Sequence, residues 1–241
     1  MTPATYPCPL PGGGAAAQEY ALTFDQGRKC RVLIAPALFD EGHKLRRFTT
    51  EVMRRLDGAG IDCILPDLPG LNESEQDLAL IEPEDWRMAI EAAARHFEAT
   101  HVLALRGGGL VLPGKLGGWH YAPVKGASLL KTMLRARILA SREAGREESL
   151  DTLMEHGLAM GLELAGYSLS GEMLRQMGEL VPGKQPGITA IEHELLGGGA
   201  LWLRAEADED RAQADALAAI VAIGVAACPA ATSRSIATAT S

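Results

Sequence analysis

The sequence is poor in aromatic residues, which fill only 5% of its 241 positions, so any core must be built from aliphatic side chains. Its four cysteines, Cys8, Cys30, Cys63 and Cys228, include no C-x-x-C pair. That spacing excludes a zinc knuckle and a dense disulfide framework and fits a reduced, cytoplasmic setting. Basic charge is scarce as well: 23 Lys and Arg against 31 Asp and Glu leave a formal net charge of −8. Bulk attraction to nucleic acid or to an anionic membrane is thereby disfavoured, although a local basic site is not. The longest apolar run, Ala216 to Cys228, is too short and too rich in alanine to span a bilayer. Met1 to Gln18 lacks the basic start and apolar middle of a secretory signal. No histidine follows His193.

Hydrophobic residues at 47% and charged residues at 22% are globular proportions, and the length suits one α/β domain. Residues 1–18, punctuated by Pro7, Pro9, Pro11 and glycines, read as a flexible leader. Strand-like runs follow at Tyr20–Phe24, Val32–Ala35, Ile61–Leu65 and His101–Leu105. Amphipathic helices over Lys44–Leu56 and Pro83–Phe97 alternate with them, the second opened by a proline in its first turn. Such alternation predicts parallel βαβ units, hence a mostly parallel central sheet flanked by helices. After Arg106 the glycines and Pro113 allow only a very short helix before a strand at Trp119–Tyr121. Helical stretches at Ser128–Ser141, Glu147–His156 and Ser170–Leu180, with an extended piece at Leu162–Ser168, predict a small cap over 128–180. Ile188–His193 and Ala200–Ala205 read as closing strands and Ala212–Ala226 as a last helix. The domain is thus expected over 19–228, with a disordered tail at 229–241.

Open parallel sheets bind ligands beyond the carboxyl ends of their strands, so the loops after Ala35, Leu65 and Leu105 carry most weight. The second, Asp67-Leu68-Pro69-Gly70-Leu71-Asn72-Glu73-Ser74, resembles the D-x-P-G-x-G-x-S stretch of α/β-hydrolases. The third, Leu103-Ala104-Leu105-Arg106-Gly107-Gly108-Gly109, stands where those enzymes carry the G-x-S-x-G elbow, a tight turn that lifts a nucleophile above the sheet. Here Arg106 takes the serine position, and a guanidinium that stays protonated cannot attack an acyl carbon. The usual order of nucleophile, acid and base also fails, because no histidine follows the late acids Asp208 and Asp210. Catalytic candidates reduce to Ser74, Asp208 and His193, all poor. Ser74 reads better as a residue bonding its own loop.

Arg106 has two readings of about equal weight. With Gly107 it forms an anion clamp, joined at the rim by Leu38, Phe39, His43 and Lys44 from the first loop. Alternatively it pairs with Asp67, Glu41 or Asp40. No metal or cofactor is indicated. Gly197–Gly199 lacks the lysine and hydroxyl residue of a phosphate loop, and Glu192-His193-Glu194 lacks a second histidine at helical spacing.

Several segments resemble the second type of exosortase A system-associated hydrolase: Pro36 to Arg47, the Asp67 and Arg106 loops, Trp119 to Gly126, Leu164 to Ser170 and Leu201 to Asp215. The likeness runs from about Glu19 to Ile220. It implies an α/β-hydrolase fold encoded beside the genes for exosortase-dependent protein sorting and exopolysaccharide production in Gram-negative bacteria, with arginine at the elbow as a family feature. His43 departs from the family's asparagine, and Pro113 shortens the helix after the elbow. The preferred functional expectation is a degenerate hydrolase that binds an anionic or acyl ligand, or a protein of the exosortase and exopolysaccharide system. The alternatives are an active ester, thioester or amide hydrolase with a relocated nucleophile, and a structural interaction protein with a vestigial pocket.

Overall fold

In the computed structural model, which describes residues 1–13, 15–183 and 185–227, the short aliphatic runs form strands with buried residues on both sides. These are β3 (Arg31–Ala35), β4 (Asp62–Pro66), β5 (His101–Leu105) and β6 (Gly118–Tyr121). They alternate with α1 (Asp40–Gly58) and α2 (Pro83–His96). Because strand side chains alternate in direction, Leu33 and Ala35 of β3 join one core and Val32 and Ile34 the other. Each core is closed by an apolar helix face, α2 on the first and α1 on the second. Pro83 begins α2 where its missing N–H costs nothing, and the Asp85 carboxylate accepts the Glu82 N–H at 2.8 Å.

Residues 1–18 are not a plain leader. They contain β1 (Thr2–Cys8), paired antiparallel along its whole length with β2 (Ala17–Phe24). Proline suits a strand only at a sheet edge, and β1 is the edge. Buried Tyr6 and Cys8 anchor it, and the Tyr6 hydroxyl donates to the Asp67 carbonyl at 2.7 Å.

The cap is inserted between β6 and the last strand, β9 (Ile188–Ile191). It comprises α3 (Gly126–Glu143), α4 (Leu150–Met160), the hairpin β7 (Leu162–Leu164) and β8 (Tyr167–Leu169), and α5 (Gly171–Glu179). Ser170 caps α5 by accepting the Met173 N–H at 3.0 Å. After β9 come the single turn α6 (His193–Leu196) and the long helix α7 (Arg211–Ala227).

Strand order is β1-β2-β4-β3-β5-β6-β9, antiparallel for the first two pairs and parallel thereafter. Ala200–Ala205, expected as a strand, instead holds a 3-10 turn at Leu201–Leu203. The cause is local. Gly197 and Gly198 take φ of 70° and 73°, turning the chain away from the sheet, and the Gln213 amide donates to the Gly199 carbonyl at 2.9 Å. Among the described residues β9 therefore ends the sheet. The expected tail, 229–241, lies outside the described residues. No helix among the described residues is long and apolar enough to cross a membrane.

Candidate functional site at the ends of the central strands

Arg106 occupies the turn that leaves β5, with φ of 50°, in the left-handed region that a nucleophile elbow demands. Three glycines make that turn possible. A Cβ at Gly108 would lie 2.4 Å from the Ala35 carbonyl oxygen, and one at Gly109 would lie 1.8 Å from the His120 ring. A Cβ at Gly107 would lie 2.8 Å from Leu129 and 3.1 Å from Leu38. The space directly above the turn is thus filled by α3 and by the loop after β3.

The guanidinium is already neutralised. Its Nε and Nη2 donate to the two carboxylate oxygens of Glu41 at 3.0 and 2.7 Å, a bidentate pair whose side chains are only 11% and 12% exposed. Nη1 donates to the Ala122 carbonyl at 3.2 Å. The charge centre also lies 4.0 Å from the Trp202 ring centroid, a cation–π contact. Of the two sequence readings, the ion pair is the one present, and Glu41 is the partner. Glu41 sits in the first turn of α1, where its negative charge is also favoured by the helix dipole.

The remaining rim residues are engaged in packing or, for Lys44, in an ion pair. Leu38 is fully buried, and Phe39, at φ of 56° before α1, stacks edge-on against Trp86 and Tyr167, both at 5.4 Å. His43 lies over the same Tyr167 ring at 6.5 Å, and Lys44 pairs with Asp40 at 2.7 Å. Tyr167 comes from the cap hairpin, so the cap plugs the mouth of the site. Burial pushes its hydroxyl up to about 12. Beneath it remains a cavity of about 20 Å³, lined in part by Asp67, Asn72 and Tyr167. That is room for one water molecule and no more.

The three catalytic candidates are not brought together. The Ser74 Oγ donates to Glu19 at 3.0 Å and accepts the Gly70 and Gln76 N–H groups at 2.9 and 3.2 Å, so it holds its loop. Asp208 is engaged by Arg204 and by the Glu209 N–H, not by an imidazole. The backbone hydrogen bond is the main cause that lowers its carboxyl. His193 meets the Tyr121 hydroxyl through Nδ1 at 2.8 Å and packs on Trp202, with ring centroids 4.9 Å apart. It thus reaches the neighbourhood of Arg106 through one intervening ring, with no nucleophile in hand. Trp202 and His120, neither given a site role from the sequence, both prove to touch the elbow. The strand alternation Trp119-His120-Tyr121 was the available signal, since it turns His120 to the face opposite its neighbours.

The sequence matches no protein-family model and no curated protein. Solved structures do resemble this one. Alpha/beta hydrolase domain-containing protein 10 from mouse superposes with a TM-score of 0.55 at 12% identity, over 87% of this chain and 94% of that one. Est1E from Butyrivibrio proteoclasticus does so with a TM-score of 0.50 at 14% identity, over 80% of this chain and 77% of that one. Strand order, the left-handed turn after β5 and these superpositions together establish that the chain has an α/β-hydrolase fold.

Proposed function

We propose that this chain is a degenerate hydrolase that acts by binding, as a component of the cytoplasmic side of an exosortase and exopolysaccharide system. The carrying observation is the elbow itself: its nucleophile position holds an arginine locked bidentate to Glu41. A nucleophile at this position would need an adjacent base and open space for an acyl group. Here Leu38 and Leu129 crowd the turn, and the enclosed space nearby is about 20 Å³.

The same pair favours a protein partner over an anionic or acyl ligand on Arg106. An incoming carboxylate or phosphate would have to displace Glu41 from a largely desolvated bidentate geometry and leave that carboxylate unpaired. The setting rests on the resemblance of the segments around Arg106, Asp67 and Tyr167 to the exosortase-associated family. Fluorophosphonate labelling of the purified full chain, combined with a panel of nitrophenyl esters, tests the reading. No labelled serine and no turnover above buffer is expected. A serine that labels, and whose alanine variant loses both label and turnover, would overturn it.

A further inference from the structure

His120 points from β6 onto the face of the sheet opposite to Trp119 and Tyr121, and its ring lies flat over Gly109 of the elbow. It is 3% exposed. Its Nε2 lies 2.7 Å from the Arg106 carbonyl oxygen, and since a carbonyl only accepts, Nε2 carries the proton. Burial lowers the ring's proton affinity, and the neighbouring Arg106 charge acts the same way. In the neutral ring Nδ1 is therefore a bare acceptor.

That acceptor has no hydrogen-bond partner among the described residues. Neither is it sealed away, since the buried side-chain polar atom left without a partner among them is the Gln213 Oε1. The opening is a cavity of about 420 Å³ on the sheet face over β6 and β9. Pro123, Pro182, Gln185, Pro186, Ile188 and Ala190 line it together with His120. His120 and Ala190 are register neighbours across the two strands, so their side chains share this face. The volume falls within the range of small-molecule sites, and among the described residues the lining is mostly apolar with two polar side chains, His120 and Gln185, the latter with its Nε2 already donating to the Pro113 carbonyl at 2.8 Å.

We infer that this cavity is a binding site for a small neutral aromatic alcohol, whose hydroxyl donates to His120 Nδ1 while its ring packs on the prolines. Proline rings and aromatic faces are complementary surfaces, as in the recognition of proline-rich segments. A lone-pair acceptor in an apolar lining selects a donor without charge, because an anion would meet the bare nitrogen and a cation would be desolvated unpaired. The site is separate from the space above Gly107 and needs no displacement of Glu41.

The test uses the ¹⁵N-labelled full chain titrated with phenol, with toluene and benzoate as controls, read at the imidazole nitrogens of His120. Saturable binding of phenol is expected, with the Nδ1 signal moving from its bare-acceptor position while Nε2 stays protonated. Toluene, lacking the donor, should bind about tenfold more weakly. Ala190→Phe fills the cavity from an exposed strand position without touching the His120 to Arg106 bond, and should abolish the response. Equal binding of toluene and phenol, tighter binding of benzoate, phenol binding that survives Ala190→Phe, or no saturable response in the wild-type chain would each overturn the inference. The comparison of ligands on the wild-type protein stands even if the variant misfolds.

Discussion

At the end of β5 the chain buries Arg106 with its counter-charge, Glu41, beside it. At the end of β4 it buries Asp67, and next to that loop Glu19, and no cation is hydrogen-bonded to either among the described residues. A buried guanidinium calls for an anion beside it, and Glu41 supplies one. Carboxylates have another way out. Burial raises both Glu19 and Asp67, and hydrogen bonds from Ser74, and from Asn72 with the Glu73 N–H, only partly offset it. One strand end is thus stabilised by pairing; at the other, burial makes the carboxylates easier to protonate and donors from the loop hold them.

Removing one partner at the β5 end should have the largest effect. Glu41→Ala leaves a desolvated guanidinium unpaired and should cost about 3–5 kcal/mol in urea unfolding. The double change Arg106→Met with Glu41→Leu should recover most of that loss, since an apolar pair of similar volume needs no counter-charge. If Glu41→Ala is nearly neutral, the pair is not what holds the elbow, and the contrast with β4 collapses.

An intermediate effect is expected at the β4 end. Ser74→Ala removes a hydroxyl that serves three groups and should cost about 1–3 kcal/mol by the same measurement. Thermal unfolding should show the loss with no change in ester turnover, because the hydroxyl is a loop tie. A loss of turnover without loss of stability would return Ser74 to the list of nucleophiles.

Glu19→Gln should have the smallest effect, and a pH-dependent one. A carboxyl raised on folding contributes most below its unfolded value of about 4.3, where both states hold the proton, and that contribution is lost as pH rises through the folded value. The variant keeps the acceptor for Ser74 and has no charge to bury. Its stability relative to wild type should therefore be unchanged in acid and improve as pH rises toward neutrality. A difference that is flat with pH would show that burial does not raise Glu19 on folding.

Much of the scaffold was legible before any coordinates. Short aliphatic runs alternating with amphipathic helices dictate a parallel sheet, and His101–Leu105 and the surrounding elements lie where periodicity puts them. The misreadings have local causes. Proline in residues 1–18 signals a loop unless a neighbouring strand offers an edge, and β2 does. Leu201–Leu203 has strand-like residues, yet the left-handed glycines before it and the Gln213 tie to Gly199 curl it into a turn.

Residue type and spacing along the chain are enough to show that the elbow carries Arg106, that no histidine follows His193 in these 241 residues, and that Ser74 sits where a loop needs an internal acceptor. That Glu41, 65 positions away, is the partner of Arg106 is a result of folding. It alone set Trp202 beneath the guanidinium, Tyr167 from the cap as a plug, and His120 with one nitrogen on the elbow and the other bare. Partner choice among many carboxylates and rings depends on distances below about 4 Å, and no periodicity along the chain encodes them.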